Sequence, residues 1–318
     1  MTAVRLGTRG SALALWQSRH VAARLAERAP DLAIELVEIV STGDQVTDIP
    51  LSEVEGTGFF TATLERALVD GRVDMAVHSC KDLPVADTPG LVVAALPPRG
   101  PVEDALIARD GLTLETLPGG ARVGTCSLRR TAQMRARRPD LTFVPLRGNV
   151  PTRVGKVTSR ELDAIVLARA GLVRLGLDGA ITQVFAATDV LPAPAQGALA
   201  IQCRSSDAAL RARLAVLDDP ATRLAATAER EMLHALGGGC SVPVGGAAVV
   251  IGETITLDAA VFAIEDGRTI RVRSQGTDPR QVGQDAARQL LDRGAAAMLE
   301  ACARAPKLAW SPAQEATS

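Results

Sequence analysis

The chain has no tyrosine, and aromatic residues make up only 2% of it. Too few rings are present to build a stacking platform for unpaired bases, which weighs against a binder of single-stranded nucleic acid. Lysine is scarce too: Lys81, Lys156 and Lys307 are the only three, and arginine carries nearly all the positive charge. A GC-rich genome produces the same bias, but arginine also grips carboxylates with a planar fork. The five cysteines, Cys80, Cys126, Cys203, Cys240 and Cys302, are odd in number and form no Cys-x-x-Cys pair. That argues against a disulfide framework and a zinc ribbon. His20, His78 and His234 show no ligand spacing, so no metal is expected. No apolar run is long enough to cross a bilayer. The N-terminus carries Arg5 and Arg9 but neither a sustained apolar region nor a small-residue cleavage site, so no signal peptide is read. A cytoplasmic location without a membrane partner is the expectation. The net charge of -1 sets up no global field for a polyanion.

What is present is enough for two or three domains: 318 residues, 47% of them hydrophobic. Short apolar runs alternate with helical periods. Strands are expected at Val4 to Leu6, Ile34 to Val40, Val73 to Val77 and Leu91 to Leu96, with helices at Ala12 to Glu27 and from Phe60. Residues 41–58 have no clear period and read as a mobile loop. The pattern restarts with strands at Ala105 to Ala108, Arg122 to Gly124, Phe143 to Leu146 and Asp163 to Ala168, and again at Ala198 to Gln202. Such alternation predicts α/β domains with parallel sheets covered on both faces. From about residue 220 the order changes to a helix, strands near 247–263 and 269–274, and one long helix over 279–303, which reads as a small α+β domain.

Four stretches carry candidate chemistry. Leu236-Gly237-Gly238-Gly239-Cys240-Ser241-Val242-Pro243 is either a tight turn around a small apolar residue or a bared loop that presents a thiol. Arg5-Leu6-Gly7-Thr8 and Arg122-Val123-Gly124-Thr125 echo each other, and each leads through a serine, Ser11 or Ser127, into a helix. Those helix starts are either ordinary caps or a pair of anion sites. Residues 122–153 hold eight arginines (122, 129, 130, 135, 137, 138, 147 and 153) against one acid, Asp140. Arg129 and Arg130 fall in a first helical turn, where the dipole disfavours cations, and a bound anion would remove that conflict. Arg135, Arg137 and Arg138 lie near the helix end and read as solvated surface. Asp82, past a strand end, is either a loop aspartate paired with Lys81 or a carboxylate that holds a developing cation or moves a proton. Adjacent His78 and Ser79 point to opposite faces of a strand and make no hydrolase pair.

Together these stretches resemble the porphobilinogen deaminase (hydroxymethylbilane synthase) family of tetrapyrrole biosynthesis. The resemblance runs from residue 3 to about 305. It is carried by Thr8-Arg9-Gly10-Ser11 with Leu15-Trp16-Gln17, His78-Ser79-Cys80-Lys81-Asp82-Leu83-Pro84, Val123-Gly124-Thr125-Cys126-Ser127-Leu128-Arg129-Arg130, and Leu146-Arg147-Gly148-Asn149 with Thr152-Arg153. Ala170-Gly171-Leu172 with Arg174-Leu175-Gly176, Gln196-Gly197, and Gly238-Gly239-Cys240 with Val242-Pro243 follow in order.

The resemblance implies two α/β domains similar to periplasmic binding proteins, with mixed or parallel sheets, at 1–98 with 197–217 and at 99–196. It also implies a small α+β domain at 218–305, followed by a tail at 306–318. A dipyrromethane cofactor is implied on Cys240 through a thioether, with Asp82 as the catalytic residue. Cofactor contacts are expected at Ser79, Lys81, Asp82, Thr125, Ser127, Arg129, Arg130, Arg147 and Gly148. Substrate contacts are expected at Arg9, Ser11, Asp44, Phe60, Arg147, Arg153, Arg174 and Gln196. The implied reaction joins four porphobilinogen molecules head to tail with loss of ammonia, and water then releases the linear tetrapyrrole. A monomer is expected.

The chain departs from many members in the 41–60 loop, where Thr42, Glu53, Glu55 and Thr57 stand in place of basic residues, and at Cys80, which is often another residue. A second class of reading, a non-catalytic two-domain binder of a small polycarboxylate, leaves Cys240 and the third domain unexplained.

Overall fold

A computed structural model of the chain describes residues 3–40, 59–238, 242–264 and 267–304. The expected contacts Asp44 and Cys240, the loop 41–58 and the tail 306–318 lie outside these residues, and of Phe60 only the helical backbone is described. The first part of the chain forms β1 (Val4–Thr8), α1 (Ala12–Arg28), β2 (Ile34–Glu38), α2 (Phe59–Val69), β3 (Met75–Ser79) and β4 (Leu91–Ala95). A second series follows: β5 (Asp104–Ala108), β6 (Arg122–Gly124), α3 (Leu128–Arg137), β7 (Thr142–Val144), α4 (Val150–Thr158), β8 (Ala164–Ala168), α5 (Arg169–Arg174) and β9 (Gln183–Val184). Then come β10 (Leu199–Arg204), α6 (Ala208–Leu214), α7 (Pro220–Ala235), β11 (Val244–Ile251), β12 (Thr254–Phe262), β13 (Thr269–Gly276), α8 (Pro279–Asp292) and α9 (Ala295–Arg304).

Two five-stranded sheets result, ordered β2-β1-β3-β10-β4 and β7-β6-β8-β5-β9. Of the mixed or parallel sheets expected, both are mixed. In the first, β1 runs parallel to β2 and β3, while β10 is antiparallel to β3 and β4. In the second, β6 runs parallel to β7 and β8, while β5 is antiparallel to β8 and β9. The reversed strand is in each case the one that arrives from the other series of elements. It does not follow a crossover helix on its own sheet, so nothing requires it to run parallel.

Side-chain alternation fills both faces of these sheets. Leu106 and Val166 join one core of the second sheet with Val123, Met134 and Phe143. Their neighbours Ile107 and Ile165 join the opposite core with Leu146 and Leu172. The first sheet divides in the same way, with Leu6, Val21 and Met75 on one side and Leu64, Leu68 and Ala76 on the other.

The third unit is an antiparallel sheet, β11-β12-β13, covered by α7 and α8. The strands expected near 247–263 are β11 and β12, a hairpin that turns between Ile251 and Thr254, and the expected helix over 279–303 breaks between Asp292 and Ala295. Gly294 takes φ +94 at that break, a conformation that ends a helix cheaply only for glycine. No described helix is long and apolar enough to cross a membrane.

Candidate active site

The carboxyl end of β3 supplies the first group of side chains. A single 3-10 turn, Cys80–Asp82, follows the strand. Apolar β3 is buried, and the polar residues begin where it ends. Ser79 is half-buried and accepts a hydrogen bond from Gln17 Nε2 of α1 at 3.0 Å. Cys80 faces the core, which makes its identity a packing matter. Asp82 is exposed. The turn is held from outside: Cys80 N donates to Ala198 O at 3.0 Å. Arg230 of α7 donates to the carbonyls of Cys80 and Leu83 at 3.3 Å and to that of Pro84 at 2.6 Å. The third unit therefore positions the backbone that carries Asp82, a contact that no local sequence pattern announces.

Lys81 does not simply pair with its neighbour. Its Nζ donates to Gln196 Oε1 at 3.1 Å. Enclosure of the ammonium is the main cause pulling Lys81 down to about 8; Asp82 and Asp104 oppose the shift, and Arg130 and Arg129 add to it. Gln196 is completely buried, and its Nε2 donates to Val102 O at 2.8 Å and to Asp104 Oδ1 at 2.9 Å. It is an internal bridge with both ends of its amide engaged.

The second sheet supplies the guanidinium groups. Ser127 caps α3, its Oγ accepting from Arg130 N at 3.4 Å, and Ser11 caps α1 by accepting from Ala14 N at 3.3 Å. Thr125 is buried, and its Oγ1 accepts from Ser127 N at 3.2 Å. The conflict between Arg129, Arg130 and the helix dipole is relieved by the protein itself. Asp104, at the start of β5, accepts from Arg129 at 2.7 Å and from Arg130 Nε and a terminal nitrogen at 3.0 and 2.7 Å. A bound anion is therefore not needed to explain the pair. Arg129 is 3% exposed and also donates to Leu191 O, so it is committed inward.

Arg153 of α4 donates through Nε to Gly148 O at 2.6 Å. Burial is the main cause lowering its pKa; Arg130 and Arg147 lower it further, whereas Cys126 and Asp82 raise it. Arg153 thus lies within the reach of Asp82 from the first sheet and of Arg130 and Arg147 from the second series of elements. Arg147 is half-buried, and Gly148 is exposed at φ +100. Arg9, just past β1, contributes to the field at His78. Arg174, at the end of α5, lies 5.9 Å from the Trp16 ring centre and donates to Gly197 O at 2.7 Å. Burial pulls it down to about 10.

Of Arg135, Arg137 and Arg138, expected as solvated surface, Arg137 is exposed and the other two are partly buried, and all three are tied to loops. Arg135 donates to Ile264 O, Arg137 to Asp189 O, and Arg138 to Leu114 O, Leu117 O and Asp140. The glycines before Cys240 also have local reasons. Gly237 takes φ +66, and Gly237 N and Gly238 N donate back to His234 O and Leu233 O, which closes α7 with a Schellman motif. A Cβ on Gly238 would lie 2.8 Å from the Leu233 side chain. Helix termination and packing account for these two glycines, whatever the thiol does.

Comparison with known proteins bears on the same residues. The family model "Porphobilinogen deaminase, dipyromethane cofactor binding domain" matches residues 4–212, and "Porphobilinogen deaminase, C-terminal domain" matches 223–292. A porphobilinogen deaminase of Xanthomonas oryzae pv. oryzae is 48% identical over 95% of this chain and 100% of its own length. One from a Roseiflexus species is 46% identical over 92% and 97% respectively.

The chain belongs to the porphobilinogen deaminase family.

Among solved structures, a Bordetella pertussis BvgS VFT2 domain is similar with a TM-score of 0.41 and 15% identity, covering 68% of this chain and 86% of its own. A Salmonella typhimurium periplasmic binding protein gives 0.41 and 14%, covering 70% and 96%. For a porphobilinogen deaminase fold, the charge of the site fits a dipyrromethane bearing acetate and propionate groups. Asp82 and Arg130 act on both Lys81 and Arg153, Arg147 acts on Arg153, and Asp104 opposes the cations around Lys81. Asp104, Arg230, Arg99 and Glu229 are the positions that motif reading missed. The buried side chains of α7 include Thr222, Ala225, Ala226, Glu229, Met232 and Leu233. An acid on that buried stripe was a usable signal.

Proposed function

We propose that this chain deaminates porphobilinogen and joins four molecules head to tail into the linear tetrapyrrole hydroxymethylbilane, with a dipyrromethane held on Cys240. One observation carries the reading beyond family membership: an exposed carboxylate, Asp82, carried by the first sheet, lies close enough to the half-buried Arg153 of α4 to act on its guanidinium. When bound, the dipyrromethane supplies a pyrrole with a free α-carbon as nucleophile. Lys81, Arg130, Arg147 and Arg153 are the residues we assign to the ligand carboxylates, with Ser79, Thr125, Ser127 and Gly148 beside them. Arg9, Ser11 and Arg174 extend the basic surface on the side of α1. Each charge-assisted hydrogen bond contributes about 1.5–3 kcal/mol, so a few hold a ligand with several carboxylates.

Loss of ammonia from porphobilinogen leaves a positively charged pyrrole. Asp82 opposes that charge as it develops and is placed to take the proton released on coupling. Fixing both reactants in one cleft removes most of the entropic cost of each addition. Sheet membership supports a first domain of 1–98 with 197–217, because β10 hydrogen-bonds to β3 and β4. A second domain over 99–196 and a third over 218–305 complete the division. We further infer a cytoplasmic monomer.

Intact mass and turnover test the assignment together. The purified chain is expected to be heavier than its sequence by a dipyrrole, and Cys240→Ala to lose the increment. Asp82→Asn is expected to keep the increment while kcat falls at least 100-fold, the scale of a lost acid-base or electrostatic group. A parent chain of bare sequence mass that consumes no porphobilinogen overturns the reading.

A further inference from the structure

Asp104 is the least expected residue of the site, a carboxylate with no exposed surface in a region built to bind carboxylates. It opens β5, which pairs antiparallel with β8. Both oxygens are engaged: one accepts from Arg129, the other from Arg130 and from Gln196. Gln196 turns its own oxygen to Lys81 at 3.1 Å. A chain of direct contacts therefore runs from α3 through β5 and the segment before β10 to the turn that carries Asp82. Two guanidinium groups and an ammonium crowded together repel one another strongly in a low-dielectric interior. Asp104 gives both arginines a counter-charge that a carbonyl acceptor does not supply, and an apolar residue at 104 would leave both cations buried without it.

We propose that Asp104 is a positioning residue for the coupling reaction: it aims Arg130 and, through Gln196, Lys81 at the ligand carboxylates, and supplies the negative charge that lets these cations persist side by side. The proposal rests on the functional reading above and goes beyond it, since Asp104 is fully buried and is not among the residues assigned to the ligand. Among the charged groups that act on Lys81 are Asp82 on its own turn, Arg129 and Arg130 on α3, and Asp104 on β5. Lys81 already sits near 8 because of its enclosure. Without Asp104 the two arginines act on it with less opposition, and a larger share of it is the neutral amine near neutral pH, which grips an anion less well.

The scarcity of lysine makes this measurable. With 13C at the lysine ε position, the full chain yields three signals, from Lys81, Lys156 and Lys307, and Lys81→Met assigns the first. In the parent, Lys81 is expected to titrate near 8. In Asp104→Asn it is expected about one unit lower or more, the size of a lost neighbouring charge, and Asp104→Glu should recover part of the shift. At pH 7.5 the KM for porphobilinogen should rise about tenfold in Asp104→Asn, with a smaller change in kcat, as for a lost charged contact.

A folded Asp104→Asn whose Lys81 signal does not move overturns the proposal, and so does a moved signal with an unchanged KM. If Asp104→Asn does not fold, Arg129→Met decides the matter. Removing that cation should raise Lys81, and no movement overturns the network. The titration needs no substrate, so it judges the network even if the parent consumes no porphobilinogen, which is the separate failure of the functional reading.

Discussion

In the first sheet, β3 runs out into Lys81 and Asp82; in the second, the corresponding β8 runs out into Arg169 and a short helix ending at Arg174. The strand orders correspond position by position, with β1 and β6 at equivalent places and a serine-capped helix after each. The local chemistry diverges. The first turn of α1 is Ala12-Leu13-Ala14, whereas α3 opens with Leu128-Arg129-Arg130. The same frame can thus carry the acid on one side and the cations on the other. The side that carries buried cations needs an internal anion, Asp104; the side that carries exposed Asp82 needs no such partner. Strand order follows from the backbone, and the roles of the two sheets follow from where charge is buried.

The largest test removes the link that ties both sheets to the third unit. Glu229 has no exposed surface, accepts from both terminal nitrogens of Arg99 at 2.7 and 2.8 Å, and also accepts from Ala195 N and Ala248 N. Arg99 in turn donates to Gln196 O at 2.8 Å. Glu229→Gln leaves Arg99 buried without a counter-charge and is expected to cost about 3–5 kcal/mol, read as a lower urea midpoint. The double variant Arg99→Met with Glu229→Met should recover much of the loss. A parental midpoint for Glu229→Gln would show that the units hold together without the pair.

Acid should separate the two sheets next. His78 on β3 is buried, and burial is the main cause holding it near 4; Arg9 lowers it as well, and a hydrogen bond with Gln202 opposes the shift. No histidine lies between residues 99 and 196. Because the folded pKa lies below the unfolded value of 6.5, the unfolded chain takes up the proton first. Stability is therefore full above about pH 6.5 and falls as the pH drops toward 4, by about 3 kcal/mol in all. In a His78→Asn variant that part of the pH dependence should vanish. If hydrogen exchange shows the second sheet loosening first between pH 6.5 and 4, this account of the difference fails.

The smallest test compares the two echo glycines. A Cβ on Gly7 would meet Val73 at 3.0 Å, and one on Gly124 would meet Leu162 at 2.7 Å and Ile165 at 3.1 Å. Both glycines are there because the sheet is closely covered. Alanine should cost roughly 1–3 kcal/mol at Gly124, within the range for overpacking, and less at Gly7. The reverse order in thermal melts would mean that the second core yields more easily than the first.

Much of this was legible along the chain. The alternation of strands and helices, the serine caps, the arginine cluster and the turn at Cys80–Asp82 follow from residues within a few positions of one another. Other features were not. The reversed strands β5 and β10 look locally like any other buried strand, and Arg135, Arg137 and Arg138 look like a solvated helix end. Their partners Ile264, Asp189 and Leu114 are remote in the sequence.

The sequence by itself determined which elements form, where the helices start and which residue types are available for acidic ligands, because capping and hydrophobic periodicity act over one or two turns. Only the tertiary structure decided which charge meets which. Asp104 lies 25 positions before Arg129 and 92 before Gln196, and Arg99 lies 130 before Glu229. Such pairs are selected when sheets close over them and an unpartnered buried charge becomes too costly to leave, a choice that exists only once the chain has folded.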